Sequence, residues 1–203
     1  MAYTEVQICR FALSYCGTTA TISSLTEDSV EAKLCNLHYA PTRDALLEGF
    51  AWPFATKYTS PALYEEYEDG DNEASDWAFS YRLPIDCLSV RRIVTANGRA
   101  ETDPAPFAMG QSVDGPILFT DQEDPVIEYT AKFENPQLYP HSFAKALAWA
   151  LAAELSFALS VNEQIRQRAI TQAAYYRLVA EAVALNAQQP VQEADSAFIR
   201  ARE

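Results

Sequence analysis

Proline and glycine are so unevenly spread along this chain that they decide where long helices can form. Ten of the 11 prolines fall between Pro41 and Pro140, none of the 6 glycines follows Gly115, and residues 141–189 contain neither. Inside a helix glycine costs about 1 kcal/mol and proline about 3 kcal/mol relative to alanine, so residues 141–189 are open to helix throughout. Residues 1–50 hold only Gly17, Pro41 and Gly49 and also read as helical. Between these ends the punctuation is dense and the pattern turns strand-like. Amphipathic helices at both ends cannot bury their apolar faces alone. The expectation is therefore an α+β fold: an antiparallel helical bundle built from N- and C-terminal helices, with an inserted small β-sheet or sandwich domain and an extended C-terminal tail. The boundaries are 1–50 and 140–189 for the bundle halves, 51–139 for the β insertion and 190–203 for the tail.

The elements follow from spacing. Val6, Ile8, Phe11, Ala12 and Tyr15 lie at helical intervals behind Thr4, an N-cap residue type, and Gly17 ends that helix. A second helix begins near Asp28 or Ser29 and runs through Leu34, Leu37, Leu46 and Leu47. Pro41 within it should kink or divide it. Residues 77–81, 88–95, 116–120 and 126–133 read as strands, four or five in all, with Asn97-Gly98 as a type I′ hairpin turn. Residues 142–159 form a third helix with Phe143, Leu147, Leu151 and Leu155 on one stripe. Ser160-Val161-Asn162-Glu163 reads as a capping box that starts a fourth, striped by Ile165, Ala169, Ala173, Tyr176, Val179 and Val183. No internal repeat or low-complexity tract is present.

With 49% hydrophobic and 12% aromatic residues the chain can build a core, so it is not a disordered segment. Fifteen Lys and Arg against 28 Asp and Glu give a net charge of −13, which disfavours binding to a nucleic-acid backbone as the main activity. The most apolar run, residues 143–161, is rich in alanine and carries Lys145 and Glu154, so it is not read as a membrane span. The N-terminus has no basic stretch before an apolar run, and no secretory signal is read there.

The chemistry-bearing residue types form no recognisable site. Cys9, Cys16, Cys35 and Cys87 lack the short spacing of zinc or redox motifs and are read as reduced core thiols, with a metal or a disulfide as lesser alternatives. Gly110 and Gly115 have the offset of a phosphate loop, but Pro116-Ile117 follows where Lys and Ser or Thr are required. The acidic run Glu65, Glu66, Glu68, Asp69, Asp71 and Glu73 has its glycine misplaced for a calcium loop and reads as a solvated acidic loop. His38 reads as a partly buried helix residue and His141 as part of a helix start, neither beside a nucleophile elbow. Trp52 and Phe54, with Lys57 and Tyr58 nearby, could stack on bases, but the net charge favours their sealing the junction of bundle and β domain. The chain is read as a non-enzyme with no cofactor and no metal.

Several stretches taken together carry a resemblance. They are Ala12-Leu13-Ser14-Tyr15-Cys16-Gly17, Ile22-Ser23-Ser24-Leu25-Thr26-Glu27-Asp28-Ser29, Tyr39-x-x-x-Arg43-Asp44-x-Leu46-Leu47, and Phe50-Ala51-Trp52-Pro53-Phe54-Ala55. Trp77-x-Phe79-x-Tyr81-x-x-Pro84-x-Asp86-Cys87-Leu88-x-Val90, Tyr129 and Pro140-x-x-Phe143-x-x-Ala146-Leu147-x-x-x-Leu151-Ala152 follow in order. Over residues 5 to 185 the chain resembles the tail tubular protein A-like family of phage head-to-tail adaptors. Pro53 stands where that family often has a small polar residue, and the loop after Tyr64 is unusually acidic.

The resemblance implies a structural virion protein, made in the host cytoplasm and located at the head–tail junction. Its partners would be the portal protein ring, a distal tail or nozzle protein, and further copies of itself in a ring, usually dodecameric. DNA would pass through the central channel without specific binding, and no membrane is involved. In this reading Pro190, Val191, Phe198, Ile199, Arg200 and Arg202 of the tail meet the portal. The acidic residues 65, 66, 68, 69, 71 and 73 face the lumen or the tail, where repulsion of phosphate would keep a duplex sliding. The alternatives are a tail-completion or stopper ring protein and a soluble domain that binds a small molecule.

Overall fold

A computed structural model describes residues 3–67, 77–94, 105–159 and 162–187. They form a mixed helix-and-sheet fold of four α-helices and two antiparallel sheets, divided into two compact units. The described residues up to Ala55 and from Lys132 onward form the first unit, and Thr56–Ala131 the second.

The first unit is helical. In α1 (Glu5–Tyr15) Thr4 caps the helix: its hydroxyl accepts from Gln7 N, and Gln7 Oε1 accepts in return from Thr4 N. Gly17, at φ +74°, turns the chain out of α1. Ser29 caps α2 (Val30–Glu48). Of the two expected effects of Pro41, a kink or a division, the division does not occur: the helix runs through it as one element. The proline costs one backbone hydrogen bond, to the carbonyl of Leu37, and both residues lie on the exposed side where water can serve that oxygen. α3 (His141–Ala158) is the central element, packed against α1, α2 and α4 (Glu163–Asn186). It buries Phe143, Leu147, Leu151 and Leu155 with Ala144, Ala148 and Ala152, which let its neighbours approach. The cap of α4 is Asn162, whose side chain accepts from Gln164 N. Glu163 is therefore the first helical residue and not the third, as a capping box would need. Ser160 and Val161 lie outside the described residues.

A ring cluster closes the same unit. After α2 the chain makes a 3-10 turn at Pro53–Ala55, and Trp52 donates its indole N–H to the Leu46 carbonyl at 2.8 Å. Trp52 and Phe54 pack edge-on against Phe143 at 5.0 and 4.9 Å, with Phe133 and Tyr139 beside Phe54. Trp52 and Phe54 thus serve the interior of the helical unit.

The second unit holds seven strands among the described residues, more than the four or five expected. β1 (Thr56–Thr59), β4 (Cys87–Val94) and β7 (Val126–Ala131) form one antiparallel sheet in the order β1-β7-β4. β2 (Ala62–Glu66), β3 (Phe79–Arg82), β5 (Ala108–Ser112) and β6 (Gly115–Thr120) form the other, ordered β2-β3-β6-β5. One buried cluster draws Tyr81 and Leu118 from the four-stranded sheet and Ile93, Ile127 and Tyr129 from the three-stranded one. The tight hairpin joins β5 to β6, where Ser112 pairs with Gly115. Asn97-Gly98, the expected turn, lies outside the described residues, and β4 pairs with β7 instead.

Candidate functional site

Of the candidate portal-interface and acidic-loop residues, only Glu65 and Glu66 lie within the described residues. Glu68, Asp69, Asp71, Glu73 and the tail positions Pro190, Val191, Phe198, Ile199, Arg200 and Arg202 lie outside them. Glu65 and Glu66 are not in a loop, as expected, but in β2, an edge strand paired with β3. Both side chains are exposed. Charged residues on an edge strand discourage pairing with another sheet, which is a sufficient physical reason for them there.

The densest polar arrangement is in the helical unit. Arg43 of α2 is only 3% exposed. Its Nε donates to Asp44 at 2.7 Å and its second guanidinium nitrogen to Glu134 at 3.4 Å. Lys132 reaches Glu134 at 3.2 Å and Asp44 at 3.7 Å. Burial opposes the Arg43 charge, but the hydrogen bond and charge of Asp44 more than offset it, so the guanidinium stays firmly protonated. A cavity of about 270 Å³ opens beside this network, lined by Glu5, Asn36, Tyr39, Arg43, Lys132 and Glu134. Burial holds the Tyr39 phenol above its ordinary range and pushes that of Tyr139 up to about 12, so both stay neutral. The carboxylates and cations already satisfy one another. The network ties α2 to the segment that leads into α3, and its chemistry is that of a structural clamp.

Three of the four thiols, Cys9, Cys16 and Cys87, are held above their ordinary range, whereas the hydrogen bond with Cys9 lowers Cys35. Cys9, Cys16 and Cys35 are buried between the helices. Cys9 lies against Cys35, and that hydrogen bond together with burial pushes the Cys9 thiol far above its usual range. Burial pushes Cys16 and Cys87 up to about 11. A neutral thiol is a poor nucleophile and a poor metal ligand. Among the described residues no group of three or more His, Cys, Asp or Glu could hold a metal ion. His141 accepts or shares a proton with the Tyr3 hydroxyl at 2.8 Å, and His38 lines a groove between α2 and α4. Gly110 does not cradle a phosphate: it sits in β5 under the ring of Phe119, which occupies the space a side chain would need.

Two features escaped the sequence reading. One is a stack of three rings, Tyr15 on Trp149 at 4.0 Å and Trp149 on Tyr176 at 5.9 Å, capped by the Lys145 ammonium 4.3 Å above Tyr176. It joins α1, α3 and α4, and its signal in the sequence was only the helical offset of Lys145 and Trp149. The other is the apolar groove of about 490 Å³ floored by Pro41, Ala45, Leu46, Ala150, Ala153 and Ala173. Among the described residues no helix is long and apolar enough to cross a membrane. No family model matches the chain, and no curated protein matches it either.

Proposed function

We propose that this chain is a non-catalytic head-to-tail adaptor of a tailed phage, similar to the tail tubular protein A-like family. Copies form a ring, dodecameric by analogy, beneath the portal; the ring joins capsid to tail and leaves a channel for DNA ejection. In this reading the four helices make an antiparallel bundle and the two sheets an inserted sandwich domain that carries the distal tail or nozzle protein. The observation that supports it most is the order of elements. The chain's two ends share one helical unit around α3 and the β strands lie between them in sequence, while Arg43 and Asp44, part of the resembling segment, sit at the clamp.

The test is capture of the tagged chain from its source lysate, followed by electron microscopy of the retained particles. A portal-sized ring with this chain stacked beneath it is the expected result. Retention on tail pieces lacking a portal would favour a tail-completion or stopper ring, and a soluble metabolic partner or a bound small molecule would overturn the reading. Removal of residues 190–203 is expected to weaken portal attachment, and full attachment by the shortened chain would reject the tail's part in it. A lumen lined by basic residues would reject the sliding surface assigned to residues 65–73.

A further inference from the structure

Two helices leave apolar stripes uncovered. On α2, Val30, Leu34, Leu37, Pro41 and Ala45 recur at three- and four-residue steps along one face; Val30 and Leu37 are each 65% exposed. On α4, Tyr175, Leu178, Ala182 and Leu185 recur in the same way, and the three larger side chains are 56–58% exposed. These are heptad-like seams, the pattern a helix uses to pack along a partner helix and not the scattered exposure normal for a surface. The two stripes do not meet on one chain, because α4 presents Ala173 and Arg177 to the groove it shares with α2. The Tyr175–Leu178 face, roughly 140° further round the helix at 100° per residue, is turned away.

The stripes match each other. One antiparallel register brings Val30 to Leu185 and Leu37 to Leu178, and sets Pro41 within one residue of Tyr175. The same register sets Lys33 within one residue of Glu181 and Glu48 within one residue of Arg168, opposite charges near both ends of the seam. Lys33 also holds Asp28, just before α2, and Glu181 holds Arg177 on α4, so such rim charges add little energy and act by fixing the register. We infer that the occupant of each stripe is a second copy of this chain: the α2 seam of one copy docks antiparallel on the α4 seam of the next. Because the two seams are different surfaces, the contact is head-to-tail and can repeat around a closed ring. This deepens the ring reading above and takes its biological meaning from it.

The test uses the full chain with two substitutions at exposed positions, Leu37→Asp and Leu178→Asp, each checked for an unchanged circular dichroism spectrum. Sedimentation equilibrium is run at roughly millimolar chain, where even weak contacts fill. The wild type is expected above the 22.6 kDa of one copy. Each variant alone is expected at monomer mass, since each has lost one of the two seams. An equimolar mixture has one intact seam of each kind and is expected at twice the monomer mass and no more. A wild type that stays monomeric overturns the inference, as does self-association by either variant or a mixture that stays monomeric. Failure of the adaptor reading looks different: self-association through these seams with no portal beneath which to stack. A portal-bound ring whose copies touch through other faces would leave the adaptor reading standing and remove this one.

Discussion

At the scale of single residues, the folded state rests on a few side chains whose surroundings fix their chemistry. Asp86 is held by Lys57 at 2.6 Å and by the Tyr129 hydroxyl at 3.1 Å, and the Lys57 contact keeps its carboxyl below the ordinary range. A carboxyl depressed in the folded state stabilises fully above its unfolded pKa of about 4 and loses that contribution as pH falls through the lowered value. Asp86→Asn is therefore expected to lower the melting temperature at neutral pH and to flatten its decline from about pH 5 to about pH 2, read by thermal scans. An equal acid slope in the variant would show that Asp86 does not contribute. Gly110 offers a second check, since an added Cβ would lie 2.3 Å from the Phe119 ring. The ring must swing aside, and Gly110→Ala is expected to cost about 1–3 kcal/mol in denaturant unfolding. The buried thiols of Cys9, Cys16 and Cys35 are expected to resist alkylation at neutral pH until the chain unfolds, when mass spectrometry should find all three modified.

At the scale of elements, the helices were legible because they announce themselves locally. Thr4, Ser29, and the stretch free of glycine and proline fixed α1, the start of α2 and the extent of α3 within a residue or two. Three strands were not legible, each for a physical reason. β2 lies at a sheet edge with most side chains exposed, so it shows no apolar alternation, and its glutamates imitate a loop. β1 is four residues long, and β5 spells Ala-Met-Gly-Gln-Ser, a poor strand by propensity that forms because it pairs with β6. The Arg43 clamp shares this limit, since Arg43 and Asp44 are adjacent but Glu134 is 91 residues away from Arg43. The cap of α4 was misread by two residues because Ser160 and Asn162 are both good cap residues, and only the bond from Gln164 N separates them. Asn162→Ala is expected to destabilise the helical unit by about 1 kcal/mol in denaturant unfolding.

At the scale of the molecule, the β unit enters and leaves through neighbouring strands: Thr56 pairs with Thr130 across β1 and β7. Paired strands lie about 5 Å apart, so a short glycine linker from Ala55 to Lys132 can replace residues 56–131. The resulting chain is expected to show a helical circular dichroism spectrum and a cooperative melt, and a broad transition would mean that the helical core depends on the sheets. The division also sets a clock. α1 and α2 are complete by Glu48, yet α3, against which both pack, begins only at His141. At roughly 5–20 residues per second of synthesis, on the order of ten seconds separate their emergence from the ribosome. The β unit, continuous in sequence, can close during that interval, whereas the apolar faces of the first two helices must wait. The helical unit is thus the last part to fold during translation and the one that a cell's chaperones have longest to hold.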